Sequence, residues 1–133
     1  MKILVDTSVW SLALRRDAPP DLPEVNFLTD ALQGDGDIYT TGLVVQELLQ
    51  GFRSPSAGEA IVAKLSSLAM ISPELSDHVE AANLKNRCRR AGVQVGTIDA
   101  LIAQLAARYD LALLTTDKDF QSMAKHVEMR FAI

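Results

Sequence analysis

Apolar positions along the chain follow two patterns, short continuous runs and longer stretches with helical spacing. The continuous runs predict buried strands, at 2–5 (KILV), around 38–40, at 69–72 (AMIS), at 111–114 (LALL) and in the closing VEMRFAI. Stretches in which apolar residues recur every three to four positions lie between these runs and predict helices. Strands that alternate with helices imply right-handed crossovers. The pattern therefore predicts an α/β fold, with a parallel sheet and helices on both of its faces.

Turn-forming residues mark the ends of several predicted helices. Gly34 ends the second helix, Pro73 lies near the start of a long one, and Gly92 lies at its end. A chain of 133 residues with 48% hydrophobic composition and no internal repeat predicts one globular domain, 1–133. The predicted helices cover 7–14, 25–34, 43–52, 54–68, 73–92 and 96–108, with a turn or short helix after 117.

The stretch GTIDALIAQLAAR, residues 96–108, has a single charged residue before Arg108, the carboxylate of Asp99. Large apolar side chains lie on one face of this helix and alanines on the other, which predicts burial on both sides. With Thr97 predicted as the helix cap, Asp99 occupies the first turn. A helix dipole stabilises such a charge by less than about 1 kcal/mol, whereas burying it unpaired costs several. Asp99 is therefore interpreted as a functional acid.

Four further acids are candidates for the same site, and each also has a simpler interpretation. Asp6 and Asp117 follow apolar strands, and in a parallel sheet such strand ends share one crevice. Asp6 could instead cap the next helix, and Asp117 and Asp119 could be turn and cap residues. Glu47 lies roughly 130° from the centre of its helix's apolar arc, where a solvated Glu is ordinary.

Convergence of these acids would require either protons or a cation to neutralise their charges. Two carboxylates about 5 Å apart repel by about 3 kcal/mol at an effective dielectric constant of 20. Four together would reach at most about 20 kcal/mol, more than the roughly 5–15 kcal/mol that stabilises a domain. An all-oxygen site suits Mg²⁺ or Mn²⁺. Zn²⁺ is disfavoured, because His78, His126 and Cys88 have no ligand spacing.

Four segments, ILVDTS, LVVQELLQG, GTIDALIAQLA and LLTTDKDF, resemble the acidic motifs of PIN-domain ribonucleases in that family's order. The residues of these four segments are most similar to those of the VapC toxins of toxin–antitoxin pairs. The resemblance implies a three-layer α/β/α PIN-like domain with a central, mainly parallel sheet, and a Mg²⁺- or Mn²⁺-dependent endoribonuclease. It also implies that Asp6, Glu47 and Asp99 are the first three acids. Asp117 is favoured over Asp119 as the fourth, because it directly follows the strand.

The resemblance also assigns roles within this set. Asp6, Asp99 and Asp117 are expected to coordinate the metal, and Glu47 to bind through water or to orient the attacking water. One or two ions fit this expectation equally well. The small hydroxyl residues beside the acids match supporting positions, Thr7, Thr115 and Thr116.

Taken over the whole chain, the net charge of −4 disfavours an RNA partner. This argument changes if some of the acids belong to a metal site. Setting four of the 17 acids aside leaves 13, which equals the 13 Lys and Arg. Basic residues on the first helix and the long helix are candidate phosphate contacts, and ordinary solvated charges are the alternative interpretation. These residues are Arg15, Arg16, Lys85, Arg87, Arg89 and Arg90.

A VapC-like chain is expected to form a homodimer and to be neutralised by a VapB-like antitoxin, which could place an Arg among the carboxylates. The sequence itself offers one apolar surface for an interface. No signal-peptide layout and no apolar run of about 20 residues is present, so a cytoplasmic protein without a membrane span is expected. The residues of the apolar surface are Phe27, Leu28, Leu32, Val44, Leu48 and Phe52.

Two other functional classes fit acids at strand ends. A receiver-like or phosphatase-like phosphoryl-transfer domain would use Asp6 as the phosphorylated nucleophile. Such domains usually carry a second acid in a D-x-D pattern, whereas Thr7 and Ser8 follow Asp6 here. A non-catalytic RNA- or protein-binding module is the third class, and the presence of all four acids disfavours it.

Overall fold

A computed structural model describes residues 1–15 and 19–133, in which strands and helices alternate along the chain. The strands are β1 (Lys2–Val5), β2 (Asp37–Thr41), β3 (Ala69–Ile71), β4 (Ala112–Leu114) and β5 (Arg130–Phe131). The helices are α1 (Thr7–Ala13), α2 (Pro23–Gln33), α3 (Gly42–Gly51), α4 (Pro55–Leu65), α5 (Leu75–Arg90), α6 (Thr97–Arg108) and α7 (Asp119–Met123).

The five strands form one sheet in the order β3-β2-β1-β4-β5, and every pairing is parallel. Leu4 on the central strand is in register with Tyr39 on β2 and with Leu113 on β4. Strand order reverses beside β1, because β2 continues on one side and β4 on the other. In open α/β sheets a crevice forms at the carboxyl ends of strands at such a point. The predicted parallel sheet is confirmed.

The helices form two groups that pack on the sheet to give three layers. Helices α1 to α4 contact one another along the chain, and α5, α6 and α7 form the second group. Leu4 and Val5 of the central strand are fully buried, as expected for a strand covered on both faces. Trp10 is also fully buried, which makes it a core residue. The three-layer α/β/α expectation is confirmed.

Two details of the helices differ from the sequence expectation. Gly96, not Thr97, is the N-cap of α6, and no side chain caps this helix. Of the apolar surface considered for an interface, Leu28, Val44 and Leu48 are fully buried in the chain's own core. These three side chains are therefore not available to a partner. Their helical spacing indicates a buried face. Helix α1 contacts both α2 and α3 and so covers this face.

A buried ion pair joins α5 to α6. Asp77 is fully buried and accepts a bond from the guanidinium of Arg108, which also pairs with the exposed Glu74 at 3.1 Å. Asp77 Oδ2 also accepts the backbone N–H of Glu74 at 2.9 Å, which closes the first turn of α5. The pair joins the first turn of α5 to the last residue of α6. Within the described residues, no helix is both long enough and apolar enough to cross a membrane.

Candidate metal centre

Acidic side chains meet at the carboxyl ends of β1 and β4. Asp6 directly follows β1, and its backbone N–H bonds to the Leu114 carbonyl at the end of β4. Asp117 follows β4 after two threonines, and Asp119 begins α7. Asp99 lies in the first turn of α6. These segments are distant in the chain, and the strand order brings them to one edge of the sheet.

Three carboxylates form the tightest group. One oxygen from each of Asp99, Asp117 and Asp119 lies within 4.8 Å of the other two. Asp117 Oδ1 also accepts the backbone N–H of Asp119 at 2.9 Å, which is the turn role considered from the sequence. Asp117 is half-buried and Asp119 is exposed. The structure therefore brings both candidates for the fourth acid into the group, with Asp117 in the more enclosed position.

Asp6 caps a helix and also lies near the acidic group, where its charge raises the pKa of Asp99. It is the N-cap of α1, and its side chain accepts from the backbone N–H of Ser8. Its carboxylate also accepts the hydroxyls of Ser8 at 2.8 Å and Thr115 at 2.9 Å. The residue is only 5% exposed, so these bonds hold the side chain in one place. Capping and a place in the acidic site are not alternatives here.

Glu47 is half-buried on α3 and belongs to the same site. Its Oε1 accepts the hydroxyl of Thr7 at 2.8 Å, so the first residue of α1 holds it. Glu47 is therefore partly enclosed and held by a side-chain partner, and its charge contributes to the raised pKa of Asp99. Thr7 contacts one of the acids directly, as expected for a supporting hydroxyl.

The electrostatics of the site are clearest at Asp99. Burial is the largest cause that raises the pKa of this carboxyl, and repulsion from Asp6, Asp117, Glu47 and Asp119 adds to it, so that the pKa reaches about 6. Ion pairs within residues 1–15 and 19–133 join Arg108 to two acids and Arg130 to Asp110, and they include none of the site's carboxylates. In the described part of the chain, no Lys or Arg forms an ion pair with the carboxylates of this site.

These residues fit a divalent cation with a preference for oxygen. The close donors are the carboxylates of Asp99, Asp117 and Asp119, and the charges of Asp6 and Glu47 lie near enough to raise the pKa of Asp99. Mg²⁺ and Mn²⁺ prefer such ligands. Cys88 is buried in the core and His78 is exposed on α5, so neither contributes to the carboxylate group. The oxygen donors are of the type expected from the sequence, and the close group contains Asp99 and Asp117 of the predicted ligands with Asp119 in addition, but not Asp6.

The basic residues predicted to contact phosphates differ in their surroundings, since two of them form side-chain hydrogen bonds and three others are exposed. Lys85 Nζ donates to the Thr97 hydroxyl at 3.1 Å, at the start of the helix that carries Asp99. Arg87 is engaged with the His126 carbonyl at 3.2 Å. Arg15 and Arg89 are exposed, and Arg90 is exposed beside the latter at the end of α5. The expectation for Arg16 lies outside the described residues.

Ser8 is the contributor that sequence reasoning missed. Its hydroxyl bonds to Asp6 and accepts the backbone N–H of Thr116 at 3.1 Å. Of the two threonines predicted as supports, Thr115 therefore contributes its hydroxyl and Thr116 its N–H. The only signal in the sequence was a hydroxyl residue two positions after a capping Asp, which is common at helix starts.

Comparisons with known proteins agree with this architecture. A model of the PIN domain family matches residues 3–126. Among solved structures, VapBC-1 from nontypeable Haemophilus influenzae matches with a TM-score of 0.75 and 18% identity, covering 98% of this chain and 96% of that one. VapBC2 from Rickettsia felis, solved bound to a DNA fragment from its promoter, matches with a TM-score of 0.73 and 20% identity, covering 98% and 96%. Mycobacterium tuberculosis VapC20, described as a sarcin–ricin loop cleaving toxin, matches with a TM-score of 0.71 and 18% identity, covering 97% and 99%.

Proposed function

The chain belongs to the PIN domain family, and from this premise we propose that it is a Mg²⁺- or Mn²⁺-dependent endoribonuclease, a VapC-like toxin formed by one domain spanning 1–133. A fold alone does not define an activity, so the proposal depends on the site. The observation that carries it is the group of Asp99, Asp117 and Asp119, whose carboxylate oxygens lie within 4.8 Å of one another. The charges of Asp6 and Glu47 also raise the pKa of the Asp99 carboxyl.

Each acid has a role in this proposal. Asp6, Asp99 and Asp117 would hold the cation, and Asp119 adds a further carboxylate at the exposed rim. A bound Mg²⁺ or Mn²⁺ lowers the pKa of a coordinated water and stabilises the charge that develops on the phosphate during in-line displacement. Glu47 lies on α3, and the hydroxyl of Thr7 holds its carboxylate. In this proposal Glu47 would orient the attacking water. Phosphodiester hydrolysis follows from these roles.

RNA is the proposed substrate, single-stranded or structured. Apart from four metal-binding acids, acidic and basic residues are equal in number, so the rest of the surface does not repel a polyanion as a whole. Lys85 of α5, whose Nζ reaches the start of α6, would contact phosphates near the site, together with the exposed Arg15 and Arg89. The description of VapC20 as a sarcin–ricin loop cleaving toxin supports RNA as the class of substrate.

A VapB-like antitoxin is the proposed protein partner, and a homodimer the proposed assembly. Similar structures include VapBC pairs from two bacteria. An antitoxin Arg placed among Asp6, Asp99 and Asp117 would form bidentate bonds with carboxylates that lack a cation partner in the described chain. Such an Arg would compete with the metal and stop hydrolysis. RNA and an antitoxin as partners place the protein in the cytoplasm.

The test is cleavage of end-labelled single-stranded RNA by the purified protein, with Mg²⁺, with Mn²⁺ and with EDTA. We expect metal-dependent cleavage that Asp6→Asn and Asp99→Asn both abolish. Asp30→Asn, which changes an exposed acid on α2, is the matched control and should cleave like the wild type.

The same preparation distinguishes the other two classes. Acid-labile phosphate on Asp6 after incubation with a phosphoryl donor would favour the receiver-like or phosphatase-like domain. RNA or protein binding without turnover, in either metal, would favour the non-catalytic module. Each of these results would contradict the proposed nuclease.

A further inference from the structure

The hydroxyl of Ser8 lies between the ends of β1 and β4. Its Oγ donates to Asp6 Oδ2 at 2.8 Å and accepts the backbone N–H of Thr116 at 3.1 Å. Thr116 comes two residues after the last residue of β4. One side chain of α1 therefore contacts both the acid after β1 and the backbone after β4.

Thr115, which directly follows the neighbouring strand β4, makes the same kind of contacts. Its Oγ1 donates to the same oxygen, Asp6 Oδ2, at 2.9 Å and accepts the backbone N–H of Asp117 at 3.0 Å. The two hydroxyl oxygens are 3.3 Å apart, farther than either is from Asp6. Asp6 and Asp117 are thus linked through a single threonine hydroxyl.

The direction of these bonds follows from how many protons each group has. A hydroxyl has one hydrogen to donate, and each oxygen here already accepts a backbone N–H, so its own hydrogen is directed to the carboxylate. Within residues 1–15 and 19–133, the hydrogen bonds to the Asp6 side chain all end on Oδ2. The lone pairs of Oδ1 are left for another ligand.

We infer that Ser8 is a positioning residue of the metal centre, acting jointly with Thr115. The two hydroxyls hold Oδ2 and so fix the rotation of the Asp6 carboxylate, which leaves Oδ1 as the ligand atom. This inference rests on the proposed function, because it assigns Oδ1 to the cation of that site. Groups that orient a metal ligand typically change metal affinity or activity 10- to 100-fold when removed.

The experiment measures Mn²⁺ affinity directly, by electron paramagnetic resonance of free Mn²⁺ and by calorimetry, without RNA. Ser8→Ala is expected to weaken Mn²⁺ binding about tenfold. Ser11→Ala is the matched control, because Ser11 lies on the same helix and its hydroxyl donates to the Ser8 carbonyl at 3.0 Å. It should bind Mn²⁺ within twofold of the wild type. Ser8→Thr keeps the hydroxyl and should restore most of the affinity.

A second pair of variants tests the joint action of the two hydroxyls. Thr115→Val keeps the side-chain volume and should also weaken Mn²⁺ binding about tenfold. Because both hydroxyls hold the same oxygen, the combined variant should lose much less than the product of the two factors. Factors that multiply in full would show separate actions and would overturn the joint role.

A purely structural role for Ser8 predicts a different set of results. Ser8→Ala would then lower the melting temperature in EDTA but bind Mn²⁺ within twofold of the wild type, which would overturn this inference alone. Wild-type protein that binds no Mn²⁺ would overturn both the inference and the proposed function. Circular dichroism at the assay temperature verifies that each variant is folded.

Discussion

Thr7 and Glu47 are 40 positions apart in the chain, and the Thr7 hydroxyl donates a 2.8 Å hydrogen bond to Glu47 Oε1. Thr7 is the first residue of α1, and it directly follows Asp6. Glu47 lies on α3, which packs against α1. One bond thus ties the position of Glu47 to the strand end that carries Asp6.

Thr7→Val, which removes this hydroxyl at nearly constant volume, is expected to reduce kcat for RNA cleavage about tenfold. The reason is that Glu47 loses its only positioned partner among the described residues, while the metal-binding acids keep theirs. Mn²⁺ affinity and the KM for RNA should change less than threefold. Thr7→Ser keeps the hydroxyl and is the control. Equal losses of kcat in both variants would contradict a role for the bond.

Asp99→Asn is expected to stabilise the protein in EDTA at neutral pH. Burial and four neighbouring acids raise the pKa of Asp99 to about 6 in the folded state, above its ordinary value of 3.8. The folded state therefore binds more protons than the unfolded state between these values, so the stability that this group costs is absent below about pH 4, grows as the pH rises and is complete above about pH 6. Asparagine removes that dependence.

The measurement is urea unfolding of both proteins from pH 4 to pH 7.5 with EDTA. The free energy of unfolding of Asp99→Asn, relative to the wild type, should increase over this range by about 1–2 kcal/mol, after allowance for solvent screening of a half-buried group. Asp30→Asn serves as the control for an exposed acid. A difference that stays constant or falls with pH would contradict the carboxylate cluster.

Mn²⁺ should reverse the order of stability of the same two proteins. A ligand that binds only the folded state stabilises it by about 2.7 kcal/mol at 100 times its Kd. The wild type is expected to gain this stabilisation, and Asp99→Asn to gain much less because one ligand is missing. Thermal melting with EDTA and with millimolar Mn²⁺ measures both effects. Equal gains would show that Asp99 does not hold the ion.

Arg108→Met is expected to destabilise the fold by about 2–3 kcal/mol, because it leaves the fully buried Asp77 charge without its partner. This loss of stability is smaller than for a completely buried pair, because the Arg108 side chain is 32% exposed. Arg130→Met is the matched control, since its pair with Asp110 is exposed and should contribute less than about 1 kcal/mol. Urea unfolding compares them. Equal losses would show that the burial of Asp77 has no energetic consequence.

The pattern of apolar residues predicted the alternation of strands and helices, because burial on both faces of a parallel sheet leaves continuous apolar runs. Asp6 and Asp117 were found because they interrupt such runs at the strand ends. Asp99 was found because a carboxylate on a helix buried on both sides needs a partner. In each case the local sequence contains a conflict between charge and burial.

Glu47, Ser8 and Asp119 show no such conflict. A Glu outside the apolar arc of its helix, a serine near a helix start and an aspartate in a turn are all ordinary locally. Only their contacts make them part of the site, through Thr7, Asp6 and the carboxylates of Asp99 and Asp117. Thr97 was likewise misassigned as a cap, because Thr and Gly both occur at that position and the sequence does not separate them.

By itself the sequence determined the α/β architecture and three acids at or near one edge of the sheet. The tertiary structure alone decided which hydroxyls hold those acids, and that Asp119 as well as Asp117 comes close to Asp99. The physical reason is that periodicity records whether a position is buried, not which distant group lies opposite. The Thr115–Asp6 bond joins residues 109 positions apart, and only the order of the strands makes them neighbours.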